Sequence, residues 1–228
     1  MTDYDRYAIY YAPEPGPLAD FGAAWLGWDA MRGAAADHPD VAGLPRPVEA
    51  LTGTPRKYGF HGTIKPPFRL AEGTTAEGLH RAAAALAEDL APVTLDGLRL
   101  HRLGGFLALT PEGDAGALAD LAARVVTGLD AFRAPAPADE IARRRPERLT
   151  PRQRAHLDRW GYPYVMEDFL FHMTLTGALT DDEARQVEAA LAPVVAPLLP
   201  RPFRVTDLCL FGETAGRFHL IHRYTLSG

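Results

Sequence analysis

Lysine and cysteine are nearly missing from this chain of 228 residues. Cys209 is the single cysteine, so no disulfide can close within the chain and no cysteine-built zinc site is available. Of 24 lysines and arginines only Lys57 and Lys65 are lysines. No apolar run approaches the roughly 20 residues that cross a bilayer, and the opening MTDYDRYAIYY lacks the apolar region of a secretory signal. Positive charge is also in deficit. A net charge of −5 argues against a protein that coats nucleic acid, although it leaves room for a local basic cleft. A cytoplasmic protein without a membrane partner is expected.

Apolar residues make up 47% of the chain, enough for a sizeable core. The length is long for one ordinary domain and short for two. RYAIYYAP reads as a strand ended by proline. Pro17 then opens a helix whose Leu18, Phe21, Trp25 and Trp28 recur at helical spacing. KYGFHGTIKPPF reads as a strand that stops at Lys65, because proline cannot donate to a ladder. TTAEGLHRAAAALAEDLA is a threonine-capped helix, and VTLDGLRLHRL and GFLALT are strands. The order then repeats: a helix over 117–132, an Arg-rich segment over 133–165 with a short helix from Thr150 to Trp160, a strand at EDFLFHMTLTGAL, a helix over 181–195 and two closing strands. The expectation is one α+β domain over 1–228 with two pseudo-twofold lobes, about 1–103 and 104–228, and the insertion 133–165. Each lobe is an antiparallel-rich sheet with helices outside, and the active cleft lies between the lobes.

The clearest repeat is Phe-His-x-Thr followed by an aliphatic residue, at 60–64 and again at 171–175. Side chains alternate along a strand. Phe171, Met173 and Leu175 therefore share one face, while His172, Thr174 and Thr176 share the other. At the first site Phe60 and Ile64 fall opposite Lys57, His61, Thr63 and Lys65. The apolar sets must be buried, so each strand presents histidine and threonine away from its own core. A lone histidine on a strand is usually a surface or satisfied residue. Two copies at matching places in a repeat point to shared chemistry.

That chemistry suits a phosphodiester. Histidines with an unperturbed pKa of ~6.5 can be one neutral and one protonated near neutral pH. His61 and His172 are the candidate acid and base, their order left open. Thr63 and Thr174 can hydrogen-bond non-bridging phosphate oxygens. Lys65 is a candidate phosphate contact if the strand persists to it, and no metal or other cofactor is called for. FHGTI and FHMTL resemble the twin motif of the two-histidine (2H) phosphoesterase superfamily. With RYAIYYAP, they resemble more narrowly the phosphonate metabolism branch encoded beside carbon–phosphorus lyase genes, over nearly the whole chain. The resemblance implies a bilobal duplicated fold and metal-independent hydrolysis of a small cyclic sugar or nucleotide phosphate.

Tyr10, Tyr58, Arg223 and Tyr224 are further candidates for the cleft, although alternation puts Tyr58 on the core face. His219 and His222 fall on opposite faces and read as structural. The cluster Arg143, Arg144, Arg145, Arg148, Arg152 and Arg154 reads as a solvated face, with a flap over an anionic substrate as the alternative. Two other functions compete: a non-catalytic module binding a nucleotide or RNA end, and an RNA-end cyclic phosphodiesterase or ligase. The acidic charge and a lack of evident stacking aromatics disfavour RNA.

Overall fold

The computed structural model describes residues 4–228, and its sheet is built around RYAIYY. The strands are β1 (Arg6–Tyr11), β2 (Trp28–Asp29), β3 (Ala34–Ala35), β4 (Gly62–Phe68), β5 (Val93–Leu95), β6 (Gly97–Leu103), β7 (Phe106–Glu112), β8 (Met173–Thr174), β9 (Phe203–Val205), β10 (Asp207–Thr214) and β11 (Arg217–Thr225). The helices are α1 (Pro17–Leu26), α2 (Val48–Thr52), α3 (Ala76–Glu88), α4 (Gly116–Gly128), α5 (Ala138–Arg143), α6 (Pro151–Trp160) and α7 (Asp181–Val195). Seven strands form one sheet in the order β11-β10-β1-β4-β8-β7-β6. Every pairing within it is antiparallel, so the α+β, antiparallel expectation holds.

Residue 103 falls inside a hairpin. Leu103 pairs with Phe106 inside the β6–β7 hairpin, which Gly104 turns with φ of 55°. The two halves also exchange strands. β10 and β11, late in the chain, complete the sheet beside β1 and β4, while β8 joins β7 and β6. The sheet is continuous, and the two motif strands are neighbours at its middle rather than walls facing each other.

Local signals fix the main helices. Thr75, Thr150 and Thr180 cap α3, α6 and α7 with their hydroxyls, the last two as reciprocal capping boxes with Gln153 and Glu183. Helices α1, α2, α3, α4 and α7 pack their apolar residues into one large core. On β1, Tyr7, Ile9 and Tyr11 enter the large core with Leu79, Leu118, Leu121 and Val187. Ala8, Tyr10 and Ala12 point the other way, into a smaller cluster with Trp28, Phe211, Phe218 and the flanking Tyr58. That second face carries the site.

The first motif strand does not stop at Lys65. β4 runs through Pro66 and Pro67 to Phe68. Its register against β1 slips: Tyr10 faces Thr63, but the preceding Ile9 faces Lys65. One residue of β1 thus spans two of β4, which is a bulge at Ile64. The bulge breaks the alternation and turns Ile64 and Lys65 together into the interior, where both are 1% exposed.

Candidate functional site

Gly62 pairs directly with Met173 across β4 and β8. Each is the middle residue of a His-x-Thr triplet, and the strands run antiparallel. The register therefore sets His61 opposite Thr174 and Thr63 opposite His172, cross-strand neighbours at about 4.5–5.5 Å between Cβ atoms, with the two histidines diagonal at about 7–8 Å. A local twofold passes between Gly62 and Met173.

The imidazoles are held in the same way. His61 Nδ1 lies 3.0 Å from the carbonyl of Gly59, and His172 Nδ1 lies 2.8 Å from the carbonyl of Leu170. Each ring donates from Nδ1 to the carbonyl two residues upstream, which leaves Nε2 as the acceptor in the neutral form. His61 Nε2 sits 3.2 Å from Thr63 Oγ1, so it accepts from that hydroxyl. Gly59, with φ of 73°, gives the turn that aims its carbonyl back at the ring. Burial is the main cause that pulls His61 down to about 4; the Gly59 bond opposes it and the charge of His172 adds to it. Tyr10 stacks on the His61 ring at a centroid distance of 3.9 Å and an interplanar angle of 28°.

A cleft of about 400 Å³ opens over His61, Thr63 and Thr174. That volume suits a small organic ligand. Tyr10, Tyr58, Phe106 and Tyr162 supply aromatic walls, and Arg6 and Arg144 supply guanidinium groups. His172 opens into an adjoining cavity of about 450 Å³, which shares Thr63, Pro66, Phe106 and Tyr162 with the first. Phe106 lies 5.7 Å from the His172 ring. Among the described residues no group of three or more His, Cys, Asp or Glu is arranged to hold a metal ion.

Several candidates lie elsewhere. Lys65 does not line the cleft: its Nζ donates to the Val126 carbonyl at 3.0 Å and sits 3.8 Å from Asp130. Burial pulls it down to about 8. Arg223 ties β11 to the end of β1, its guanidinium donating to the carbonyls of Ala12 and Pro13. Tyr224 is buried on the helix side, hydrogen-bonded to His80 at 2.7 Å. Tyr58 faces the cleft despite the alternation, because residues 55–58 form a 3-10 turn and not a strand. The expected lack of stacking aromatics is corrected by the four rings of the cleft walls.

Arg6, Phe106 and Tyr162 carry no sequence signal of their own. Thr176 shares the face of His172 in the alternation, and its buried hydroxyl accepts from Leu107 N–H. Within the Arg-rich segment, only Arg144 of the six clustered arginines lines the cleft.

Residues 63–219 match the family described as "Protein of unknown function (DUF1045)". The chain is 42% identical over 181 residues to a protein of Janthinobacterium sp. (strain Marseille) named ribose 1,5-bisphosphate phosphokinase PhnN, covering 78% of this chain and 40% of that protein. A protein of the same name from Laribacter hongkongensis (strain HLHK9) is 36% identical over 219 residues, covering 91% of this chain and 48% of that one. The chain thus spans less than half the length of these curated relatives. The solved structure of E. coli LigT in apo form is similar over 100% of both chains, at 15% identity and a TM-score of 0.44. At that score the fold rests on the strand order of this chain itself.

Proposed function

The chain belongs to the DUF1045 family, and for it we propose a phosphoesterase that hydrolyses a cyclic phosphodiester of a small sugar or nucleotide by paired-histidine acid–base catalysis. One observation carries this reading: the Gly62–Met173 register, which sets each histidine beside the other motif's threonine on one face. The twin-motif resemblance to the two-histidine phosphoesterases supports it, and the phosphonate-breakdown setting is inferred from the same resemblance. The relatives' name refers to a phosphorylated ribose, which agrees with a small sugar phosphate as substrate. The kinase in that name is not carried over: this chain has no Gly-x-x-x-x-Gly-Lys-Ser/Thr segment, and it matches less than half of each relative.

His61, held neutral by burial, is the base. Its Nε2 takes a proton from water as the water oxygen bonds to phosphorus. The bond from phosphorus to one ring oxygen breaks, and His172 donates a proton from Nε2 to that alkoxide. The product is a phosphomonoester with a free hydroxyl. As substrate enters, the Thr63 hydroxyl turns from His61 Nε2 to a non-bridging oxygen, which frees that nitrogen for the water; Thr174 donates likewise, and the two hold phosphorus in line. Each proton transfer contributes roughly 10²–10⁴-fold.

A nucleotide, rather than a bare sugar phosphate, is the second reading, favoured by the aromatic walls Tyr58, Phe106 and Tyr162. A panel of cyclic phosphates, sugar and nucleoside, assayed with and without EDTA tests both. Turnover of at least one member in EDTA is expected. Tight binding of a nucleoside cyclic phosphate without turnover would move the protein to the non-catalytic class.

A further inference from the structure

The cleft has more room and more positive charge than one phosphodiester uses. Among the described residues its lining contains no aspartate or glutamate. Of its two guanidiniums, Arg6 is committed: its Nη2 donates to Glu213 at 3.0 Å, as part of a bidentate pair. Among the described residues Arg144 has no carboxylate partner within ion-pair distance. It lies instead over the Tyr162 ring, 4.6 Å from the centroid.

Three of the clustered arginines are engaged elsewhere, and Arg145 and Arg148 do not line the cleft. Arg143 pairs with Asp139, Arg152 with Asp168, and Arg154 donates to the Leu149 carbonyl. The base under Arg144 is fixed as well. Arg133 donates to the Arg159 carbonyl and pairs with Asp130, which anchors the turn at Gly161 that precedes Tyr162. A guanidinium seated over an aromatic ring keeps its N–H donors available, and those donors match a phosphate's oxygens.

We propose that Arg144 over Tyr162 is a second anion subsite, which receives a phosphate monoester on the same small molecule whose cyclic phosphodiester lies at the paired motifs. The insertion 133–165 thereby sets specificity for a doubly phosphorylated substrate. The proposal deepens the phosphoesterase reading and rests on it for the reacting half of the ligand.

The test compares kcat and KM of wild type, Arg144→Ala and Arg144→Gln on adenosine 2′,3′-cyclic phosphate and its 5′-phosphorylated counterpart. In the variants, KM for the 5′-phosphorylated member should rise about 10–100-fold, as loss of charge-assisted hydrogen bonds implies. KM for the other member and kcat for both should hold. Equal changes on both substrates, or none, overturn the subsite. A 5′-carboxylate counterpart that binds as well as the 5′-phosphate overturns the assignment to phosphate. Calorimetric titration with ribose 5-phosphate separates the two layers. If neither cyclic phosphate turns over but ribose 5-phosphate binds at least tenfold more weakly to Arg144→Ala, the phosphoesterase reading fails and the subsite stands. If both cyclic phosphates turn over and Arg144→Ala changes nothing, the subsite fails alone.

Discussion

The ring of Tyr10 lies face to face on the imidazole of His61, with centroids 3.9 Å apart, and Tyr10 is itself 1% exposed. This cap keeps water off one face of the histidine, and burial is the leading reason its pKa falls to about 4. A base with that pKa is active as soon as it is neutral. The acid limb of kcat/KM should therefore lie near pH 4, not near the ~6.5 of an unperturbed imidazole. Tyr10→Ala should move the limb upward by readmitting water. A wild-type limb at the unperturbed value, or one that Tyr10→Ala leaves in place, contradicts the capped-base assignment.

The same depression links stability to pH. Between about 4 and the unperturbed ~6.5 the unfolded chain binds a proton at residue 61 that the folded chain does not. The contribution of a neutral His61 is whole above that window and is lost as pH falls through it. Melting temperatures taken across the window should fall more for wild type than for His61→Gln. Parallel curves for the two proteins would remove the link.

Acid and base roles also make separate kinetic demands. His61→Ala and His172→Ala should each lower kcat by roughly 10²–10⁴-fold, and each should erase a different limb of the pH profile: the acid limb for His61, the alkaline limb for His172. Loss of the same limb in both variants would show that the roles are not divided as proposed.

Lys65 gives a sharper contrast. As a phosphate contact, its loss would cost orders of magnitude in kcat/KM. Buried against Val126 and Asp130, it is a structural group. Lys65→Met, similar in length and apolar, should keep kcat/KM within a few fold, and Asp130 retains Arg133 as its partner. Because removing a buried lysine also removes its desolvation cost, stability should change by no more than about 1–2 kcal/mol in either direction. A hundredfold loss of kcat/KM with an unchanged melting temperature would restore the phosphate role.

Lys65 also shows where the sequence stops being legible. Period-two alternation put His61, Thr63, His172 and Thr174 on the faces opposite Phe60 and Phe171, and these four residues line two adjoining cavities. It failed two residues later, since a bulge at Ile64 depends on how β1 pairs with β4 and leaves no mark in composition. Tyr58 was misjudged because a 3-10 turn replaces the assumed strand. The helix after Thr75 was legible because its cap is local, and the structure adds Thr150 and Thr180 as caps of the same kind. The exchange of β10 and β11 to the side of β1 is a long-range pairing that no short window contains. Arg144 was visible as one of six arginines, but only the tertiary path of the insertion separates it from the others.

Gly62 is the last point of test, because the site depends on how closely β4 and β8 approach. A Cβ at Gly62 would lie 2.3 Å from Cζ and 2.4 Å from Cε2 of Phe171, the residue just before His172. Phe171 is 2% exposed and is packed against Tyr11 and Phe203, at centroid distances of 5.9 and 5.8 Å, so it has no free direction of retreat. Gly62→Ala must therefore shift the ring or part the strands, and either movement carries His172 away from Thr63. Overpacking of this kind costs about 1–3 kcal/mol. We expect that loss together with a drop in kcat of at least about tenfold, since small displacements of a reacting group are expensive. Phe171→Leu, which removes the clashing ring atoms, should recover part of both losses when combined with Gly62→Ala, a coupling that a double-mutant cycle reads directly. If Gly62→Ala keeps wild-type kcat and melting temperature, the close pairing of the two motifs is not what organises the site.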